Sequence, residues 1–465
     1  MITPRFSCSQ TADSVIVSLY CPSVRASDVE ISVDDSLLII HVSPYFLRLS
    51  FPHSVVEDDD SSAQYDPSSG YLTVTLSKEV KNQHFADLDL LAKLLAPRPS
   101  KPPTAPSIEV IDSQSTTGDI AEISQRIDQL VLEEEGDTLQ AANDDWQLPQ
   151  TVPESLPHLH MSPKKYYGFL NLYTGYFMHV THTENEVNEL GPDVEACDVG
   201  DRRLRRIAHE NEKWDEEHYM ADYADDEHIQ ELIAWKDPEL VSDVAIVYTD
   251  AENMDMLRLP RKEYIMIAVQ EEELYLTLIN LLFAHAYDRR TTLQDPTPES
   301  AWTMCTLIPA FSALDPPPYS SAVHDVEKHG GTTFTDAELT STVVASYRRC
   351  LAFPLYRSFQ LAERCRKDVA LSLSRGKRVV TRRLLEMKRV LDHHEVYYVY
   401  SKIWVDDFCV WVQAAASDDL FQQIGDRLEA LTVSKAEIGW DLEQLEGAIR
   451  HVLDRNPDSD DESAE

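Results

Sequence analysis

Glycine is scarce in this sequence, 13 of 465 residues, roughly 3% against a usual ~7%. Loops that cradle phosphates need glycine where the backbone bends closely round an anion, and neither a G-x-G-x-x-G nor a Walker A motif occurs. Basic charge is short as well. Lys and Arg number 41 against 81 Asp and Glu, a formal charge of −40. A surface that negative repels nucleic acid and anionic lipid and favours basic partners. The seven cysteines are odd in number and far apart, with no C-x-x-C. That predicts thiols in a reducing compartment rather than a disulfide framework or a zinc site. The longest mostly apolar run, 274–287, is too short for a membrane span and is closed by Asp288, Arg289 and Arg290. The opening MITPRFSCSQ has no basic or apolar region of a secretory signal. A soluble chain of the cytosol or nucleus, with no membrane partner, is expected.

Signatures of chemistry are missing too. His394-Glu395 lacks the second histidine of a zincin, because Tyr398 occupies that position. His158-x-His160 and His179-x-x-His182 have no third ligand at metal spacing. There is no G-x-S-x-G elbow and no kinase catalytic loop. Asp58-Asp59-Asp60 and Asp406-Asp407 read as solvated loop or helix-end charges. No catalytic, cofactor or metal residue is assigned, and a protein that is not an enzyme is expected.

What is present divides into regions. In 1–96, Val15, Val17 and Leu19 alternate with Ile16, Ser18 and Tyr20, Val29, Ile31 and Val33 with Glu30 and Ser32, and Leu72, Val74 and Leu76 with Thr73 and Thr75. Tyr45, Leu47, Leu49 and Phe51 share one face, with Arg48 and Ser50 pointing the other way. Turns fall at Asp34-Asp35-Ser36 and Pro67-Ser68-Ser69-Gly70. Period two in short runs with turns between predicts an antiparallel β-sandwich. Residues 97–163 hold nine of the 25 prolines and read as a flexible linker, since such a segment cannot bury enough apolar area to offset its ordering entropy. One island within it, near 119–135, has a capping-box pattern and a stripe of Ile120, Ile123, Ile127, Leu130 and Val131. It reads either as a docked helix or as a short partner-binding motif.

Residues 164–455 read as mostly α-helical. Leu204, Ile207, Asn211, Trp214 and His218 fall on one helical face, and residues 263–287 carry a stripe of Leu274, Leu278, Leu281, Leu282 and His285. Thr297 is expected to cap a helix with Pro298 at its first position. Thr335-x-x-Glu338 is a capping box, Pro354 a break, and 426–453 a final helix or helix pair. Residues 456–465 form an acidic tail. The fold class is therefore multidomain α+β, an N-terminal antiparallel β-sandwich followed by a mostly α-helical domain.

Two features invite a functional reading. Residues 348–389 hold 13 basic residues against three acidic ones. They pair with acidic helices of their own domain or form a second electrostatic contact site, for an acidic tail or for RNA. The string YYGFLNLYTGYF at 166–177 seeds the core of the helical domain or, through Tyr167, Phe169 and Tyr173, anchors a partner.

Long strings in both regions resemble one family. They include PYFLRLSFP at 44–52, FADLDLLAKLLAP at 85–97, YYGFLNLYTGYF at 166–177, HYMADYADDE at 218–227, LLFAHAYDRRTT at 281–292, ESAWTMCTLIPAFSALD at 299–315 and SRGKRVVTRRLLEMK at 374–388. Together they are similar to the Shq family, assembly chaperones of box H/ACA ribonucleoproteins. The resemblance implies an N-terminal CS domain, related in fold to co-chaperones and small heat-shock proteins, then the Shq-specific helical domain. It implies a protein of the nucleoplasm and cytoplasm that clamps the H/ACA pseudouridine synthase (dyskerin and its orthologues) before guide RNA arrives, and that AAA-type ATPases later remove. An acidic chain is a plausible placeholder for RNA on a basic synthase. Its contact surface is expected on Glu210, Glu212, Asp215, Glu216, Glu217 and Asp222, followed by Asp225, Asp226 and Glu227, although a solvated helix face explains the same residues. No stable RNA binding is expected. The other open readings are a co-chaperone of the ninety-kilodalton heat-shock chaperone, acting through the CS domain, and direct RNA binding through 348–389.

Overall fold

In the computed structural model the alternating segments pair as two antiparallel sheets. It describes residues 2–22, 24, 29–96, 166–177, 185–191, 196–242, 244–319 and 334–453. The expected linker at 97–163, with its helix near 119–135, and the acidic tail at 456–465 lie outside the described residues.

One sheet is built on β1 (Arg5–Gln10), β2 (Ser14–Tyr20) and β8 (Tyr71–Lys78), with β6 (Val55–Val56) and β7 (Ser62–Asp66) both pairing with β8. The other is the meander of β3 (Glu30–Asp34), β4 (Leu37–Val42) and β5 (Tyr45–Ser50). Register pairs Val17 with Val74 and Ile40 with Leu47, so the inward residues of neighbouring strands share a face. Val15, Val17, Leu19, Leu38, Ile40, Leu47, Leu49, Leu72, Val74 and Leu76 are all buried between the sheets. The short helix α1 (Leu91–Leu95) leaves the sandwich and packs against both β5 and the helices.

The helical part begins with α2 (Val199–Lys213), α3 (Glu216–Ala224), α4 (Glu227–Ala234), α5 (Pro238–Val241) and α6 (Asp250–Arg258). At its centre lies α7 (Ala268–Thr291), buried nearly all round from Leu274 onward, as an apolar helix must be. It starts five residues later than its hydrophobic stripe predicted, because 260–267 is extended. Then come α8 (Ser300–Leu307), α9 (Pro309–Ser312), α10 (Asp336–Ala352), α11 (Phe359–Ser374) and α12 (Lys377–Asp392). The Thr335/Glu338 capping box forms and the break at Pro354 falls between α10 and α11. Thr297 does not cap α8: its N–H donates to the Ser300 hydroxyl at 2.9 Å and the helix begins after Glu299. After α13 (Tyr398–Tyr400) a π-helical turn, Ser401–Val405, leads into α14 (Asp406–Ala414). The end is α15 (Asp418–Ala430), which starts earlier than expected, and α16 (Leu442–Leu453).

Sandwich and helices meet through α1 and through ion pairs. The Arg378 guanidinium donates to both oxygens of Asp89, at 2.7 and 2.8 Å, and to Asp87 at 3.1 Å. The Ala92 N–H donates to the Gln413 side-chain carbonyl at 3.3 Å.

Candidate partner-binding surfaces

The face of α2 that turns inward is charged. Arg202, Arg206 and Glu210, spaced four apart, are buried, while Leu204 is 69% exposed and Ile207 38%. This inverts the expected apolar face. Burying charge is tolerated only where partners meet it. Here Arg206 donates to Asp315 at 2.7 Å and to Glu210 at 2.6 Å, and its guanidinium lies 4.8 Å from the Tyr319 ring centre. Arg348 from α10 donates to the other Glu210 oxygen at 2.7 Å, and Arg349 comes within 3.6 Å of the oxygen that Arg206 holds. Glu210 therefore does not belong to the expected acidic surface. It is the fully buried hub that ties α2 to α10.

The rest of that acidic run is spread over α2, α3 and the start of α4, not one helix. The chain breaks at Trp214, which stacks on Trp440 at 4.4 Å. Asp215 then caps α3, accepting from the His218 N–H at 3.0 Å, a bond that holds its carboxyl low. Glu216 and Glu217 in the first turn suit the helix dipole and are exposed, as are Glu212, Asp225 and Glu227. Asp222 is only half-exposed and is engaged by the Arg357 N–H at 2.6 Å.

The basic segment is turned inward. Arg382 donates to Glu252 at 2.6 Å, Arg383 to Asp237 at 2.9 Å and Arg366 to Glu363 at 2.7 Å. Arg349 pairs with Glu189, and Lys388 with Asp392 and Asp406. Burial favours a protonated Glu189, but Arg349 and His209 outweigh it and hold the carboxyl down at about 2. Of the two readings of 348–389, internal pairing describes these side chains.

The aromatic stretch is mostly core. Tyr167 and Phe169 are buried, Phe169 in edge contact with Phe408 at 5.1 Å, and neither presents a surface to a partner. Tyr173 is half-buried and its hydroxyl donates to Asp407. Asp407 also accepts from Lys262 Nζ at 2.8 Å and from the Tyr264 hydroxyl at 2.6 Å, and its side chain is wholly buried. It was expected to be a solvated helix-end charge; instead it fastens two segments to α14. Burial and Asp407 push the Tyr173 hydroxyl up to about 12, against the opposing pull of Lys262. The signal available in the sequence was its setting, an acid among Trp404, Val405, Phe408 and Val410. Gly168, at φ 80°, leaves room for this knot: a Cβ there would lie 2.7 Å from the Tyr173 ring and 2.9 Å from the Ile403 carbonyl oxygen. Tyr166, Leu172 and Tyr176 of the same stretch are about half-exposed.

A family model described as SHQ1-like, CS domain, matches residues 3–95, and one described as SHQ1 protein, Shq1 domain, matches residues 238–442. Protein shq1 of Schizosaccharomyces pombe is 32% identical over 97% of this chain and 97% of its own length. The chain belongs to the Shq1 family. The SHQ1 homologues of Xenopus tropicalis and Mus musculus are 31% and 29% identical, over 97% and 96% of this chain and 70% and 75% of theirs. Among solved structures, heat shock protein 16.0 of Schizosaccharomyces pombe aligns with 18% of this chain and 94% of its own at 23% identity and a TM-score of 0.16. The CS classification rests on the family model and the strand pairing.

In this Shq1-family chain the Shq1-domain match spans the extended segment 260–267, the basic helices α10 to α12 and Asp407. The acidic helices α2 to α4 and the aromatic stretch precede it. Among the described residues no cluster of His, Cys, Asp or Glu is arranged to hold a metal, and no helix is long and apolar enough to cross a membrane. A cavity of about 200 Å³ lies between α7 and α12, lined by His285, Asp288, Arg289, Met304, Glu386 and Arg389 among others. Arg289, Arg389 and Glu386 already have ion-pair partners, and His285 shares a hydrogen bond with Glu386 at 2.9 Å.

Proposed function

We propose that this chain is a holding chaperone, without enzymatic activity of its own, for an H/ACA pseudouridine synthase of the dyskerin type. It occupies the synthase's RNA-binding surface before guide RNA is loaded, in the nucleoplasm and cytoplasm, and AAA-type ATPases release it. Family membership over nearly the whole chain supports the class. The observation that carries the reading is the direction of charge. Many basic side chains of 348–389 are spent on internal carboxylates, while Glu212, Asp215, Glu216 and Glu217 face water. The outward field is then negative, the complement of an RNA-binding groove. Shared charge logic also argues against direct RNA binding through 348–389.

The test is competition. The purified chain is mixed with recombinant synthase, free or preloaded with guide RNA, and complex formation is followed by co-sedimentation at low and moderate salt. Binding to the free synthase that weakens with salt and is blocked by RNA supports the proposal. Equal binding to the free and the loaded enzyme refutes it.

A further inference from the structure

Between α6 and α7 the segment 260–267 adopts neither helix nor sheet, yet its side chains alternate. Lys262 and Tyr264 turn inward onto Asp407, and Met266 packs against the core behind them. Arg261, Glu263, Ile265 and Ile267 face out, Ile265 being 96% exposed and Ile267 66%. That is the two-residue period of a β-strand. Its main chain is unpaired: among the described residues, none donates to or accepts from the backbone of 261–266. The ends are fixed. Leu259 N–H donates to the Met256 carbonyl at 3.3 Å, and Ile267 N–H to the Gln270 side chain at 3.1 Å. The inward side chains hold the middle. The outcome is a strand held extended in a helical domain with no sheet to join, its peptide groups left to water or to another chain.

The surroundings select the occupant. Lys262 is neutralised by Asp407, and Arg261 donates to the Thr3 hydroxyl. Outward acidic charge on the edge comes from Glu263, and beside it at the start of α7 lies the half-buried Glu271. Burial, and then Glu272, push the Glu271 carboxyl up, so that carboxylate would gain from a nearby cation. Ile265 and Ile267 ask for apolar contacts on the same face.

We propose that 260–267 is an open β-edge that captures an extended peptide segment of a partner protein, with basic and apolar residues alternating, by main-chain pairing. The proposal is independent of which protein supplies that segment, and so of the synthase reading.

The full-length chain is titrated with a labelled peptide, Lys-Val-Lys-Ile-Lys-Val-Lys-Ile, by fluorescence polarisation, and amide hydrogen exchange is followed by mass spectrometry. Saturable binding is expected, with the amides of 261–266 exchanging fast in the free chain and roughly tenfold or more slower when the peptide is bound. A peptide with the same side chains but N-methylated at every second residue should bind at least about tenfold more weakly, because it loses donors and not surface. Replacing its lysines by glutamate should abolish binding. The variant Ile265→Pro, which removes one donor from the edge, should lose affinity with unchanged circular dichroism. Should that variant not fold, the N-methylated peptide on the unaltered chain decides alone. Absence of binding, binding without protection of 261–266, or equal binding of the N-methylated peptide overturns the proposal. So does protection already present in the free chain, which would mean that its own sequence covers the edge, or protection that grows with protein concentration, which would mean a second copy does.

Discussion

Glu210→Ala should weaken the fold, not a partner surface. The carboxylate is reached by Arg206 at 2.6 Å, Arg348 at 2.7 Å and Arg349 at 3.6 Å, with no exposure to water. Removing one member of a buried charge network costs about 3–5 kcal/mol, because the remaining charges lose their compensation in a medium that solvates them poorly. The lower end applies here. Arg206 keeps Asp315, Arg349 keeps Glu189 and the Thr306 carbonyl, and Arg348, which loses its carboxylate, keeps the Ile438 carbonyl and the Asn211 side-chain oxygen. A loss of about 3 kcal/mol lowers the melting temperature by roughly 4 °C, given an unfolding entropy of ~2.1 cal/mol/K per residue over the compact unit formed by 1–98 and 164–465. The assay is a urea titration read by circular dichroism, with the loss appearing as a lower midpoint at constant slope. Glu210→Gln, which keeps one acceptor but no charge, should fall between the two. The control is the exposed pair Glu216→Lys with Glu217→Lys, for which the midpoint should not move. An unchanged midpoint for Glu210→Ala would refute the buried network and return Glu210 to the candidate contact surface.

Asp288 is buried, and burial raises its carboxyl to about 6 despite a hydrogen bond from Ser300. A pKa above the unfolded value means a stabilising contribution present below about pH 4 and lost as pH rises through about 6. Asp288→Asn, which cannot ionise, should therefore match the parent at pH 4 and exceed it at pH 7 by at most about 3 kcal/mol; equal denaturation midpoints at both pH values would contradict this. Gly168→Ala should lose about 2 kcal/mol or more in the same urea assay, since a left-handed residue would gain a Cβ pressed against Tyr173 and Ile403. A variant as stable as the parent would show that the knot around Asp407 yields. Reversing charge at Glu216 and Glu217 should slow association with the synthase and flatten its salt dependence, measured by stopped-flow mixing. Unaltered rates would remove α3 from the encounter surface.

The sandwich was legible because each strand buries one face against apolar neighbours. Val15, Val17 and Leu19 leave no choice of register, since a slip by one residue would put Ser18 and Tyr20 inside. The capping box at Thr335 was legible for a similar local reason: both its bonds close within four residues. On α2 the local signal pointed the wrong way. Leu204 and Ile207 looked like the buried stripe, but the face of Arg202, Arg206 and Glu210 goes inside because Asp315 and Arg348 meet it there. Those partners stand more than a hundred residues away, and no window on the helix contains them. Asp407 is hidden in the same way, its donors arriving from Tyr173, Lys262 and Tyr264.

The two errors and the one correct reading of charge share a cause. A buried arginine must find a carboxylate, so an inward-facing basic segment draws particular acids out of the surface population. Glu189, Glu210, Asp237 and Glu252 are among the acids so drawn, each buried or nearly so, and Lys262 draws in Asp407 in the same way. Composition states how many acids must remain once the basic side chains are satisfied, because 81 exceeds 41 by a margin that internal pairing cannot close. It does not state which ones remain, since that depends on where α10 and α12 dock. The sign of the outer field therefore follows from counting, whereas its contact addresses need the packing of distant helices. On this argument Glu216 and Glu217, exposed in the first turn of α3, are better test positions for the negative surface than Glu210 or Asp222, although all four occur within one acidic run.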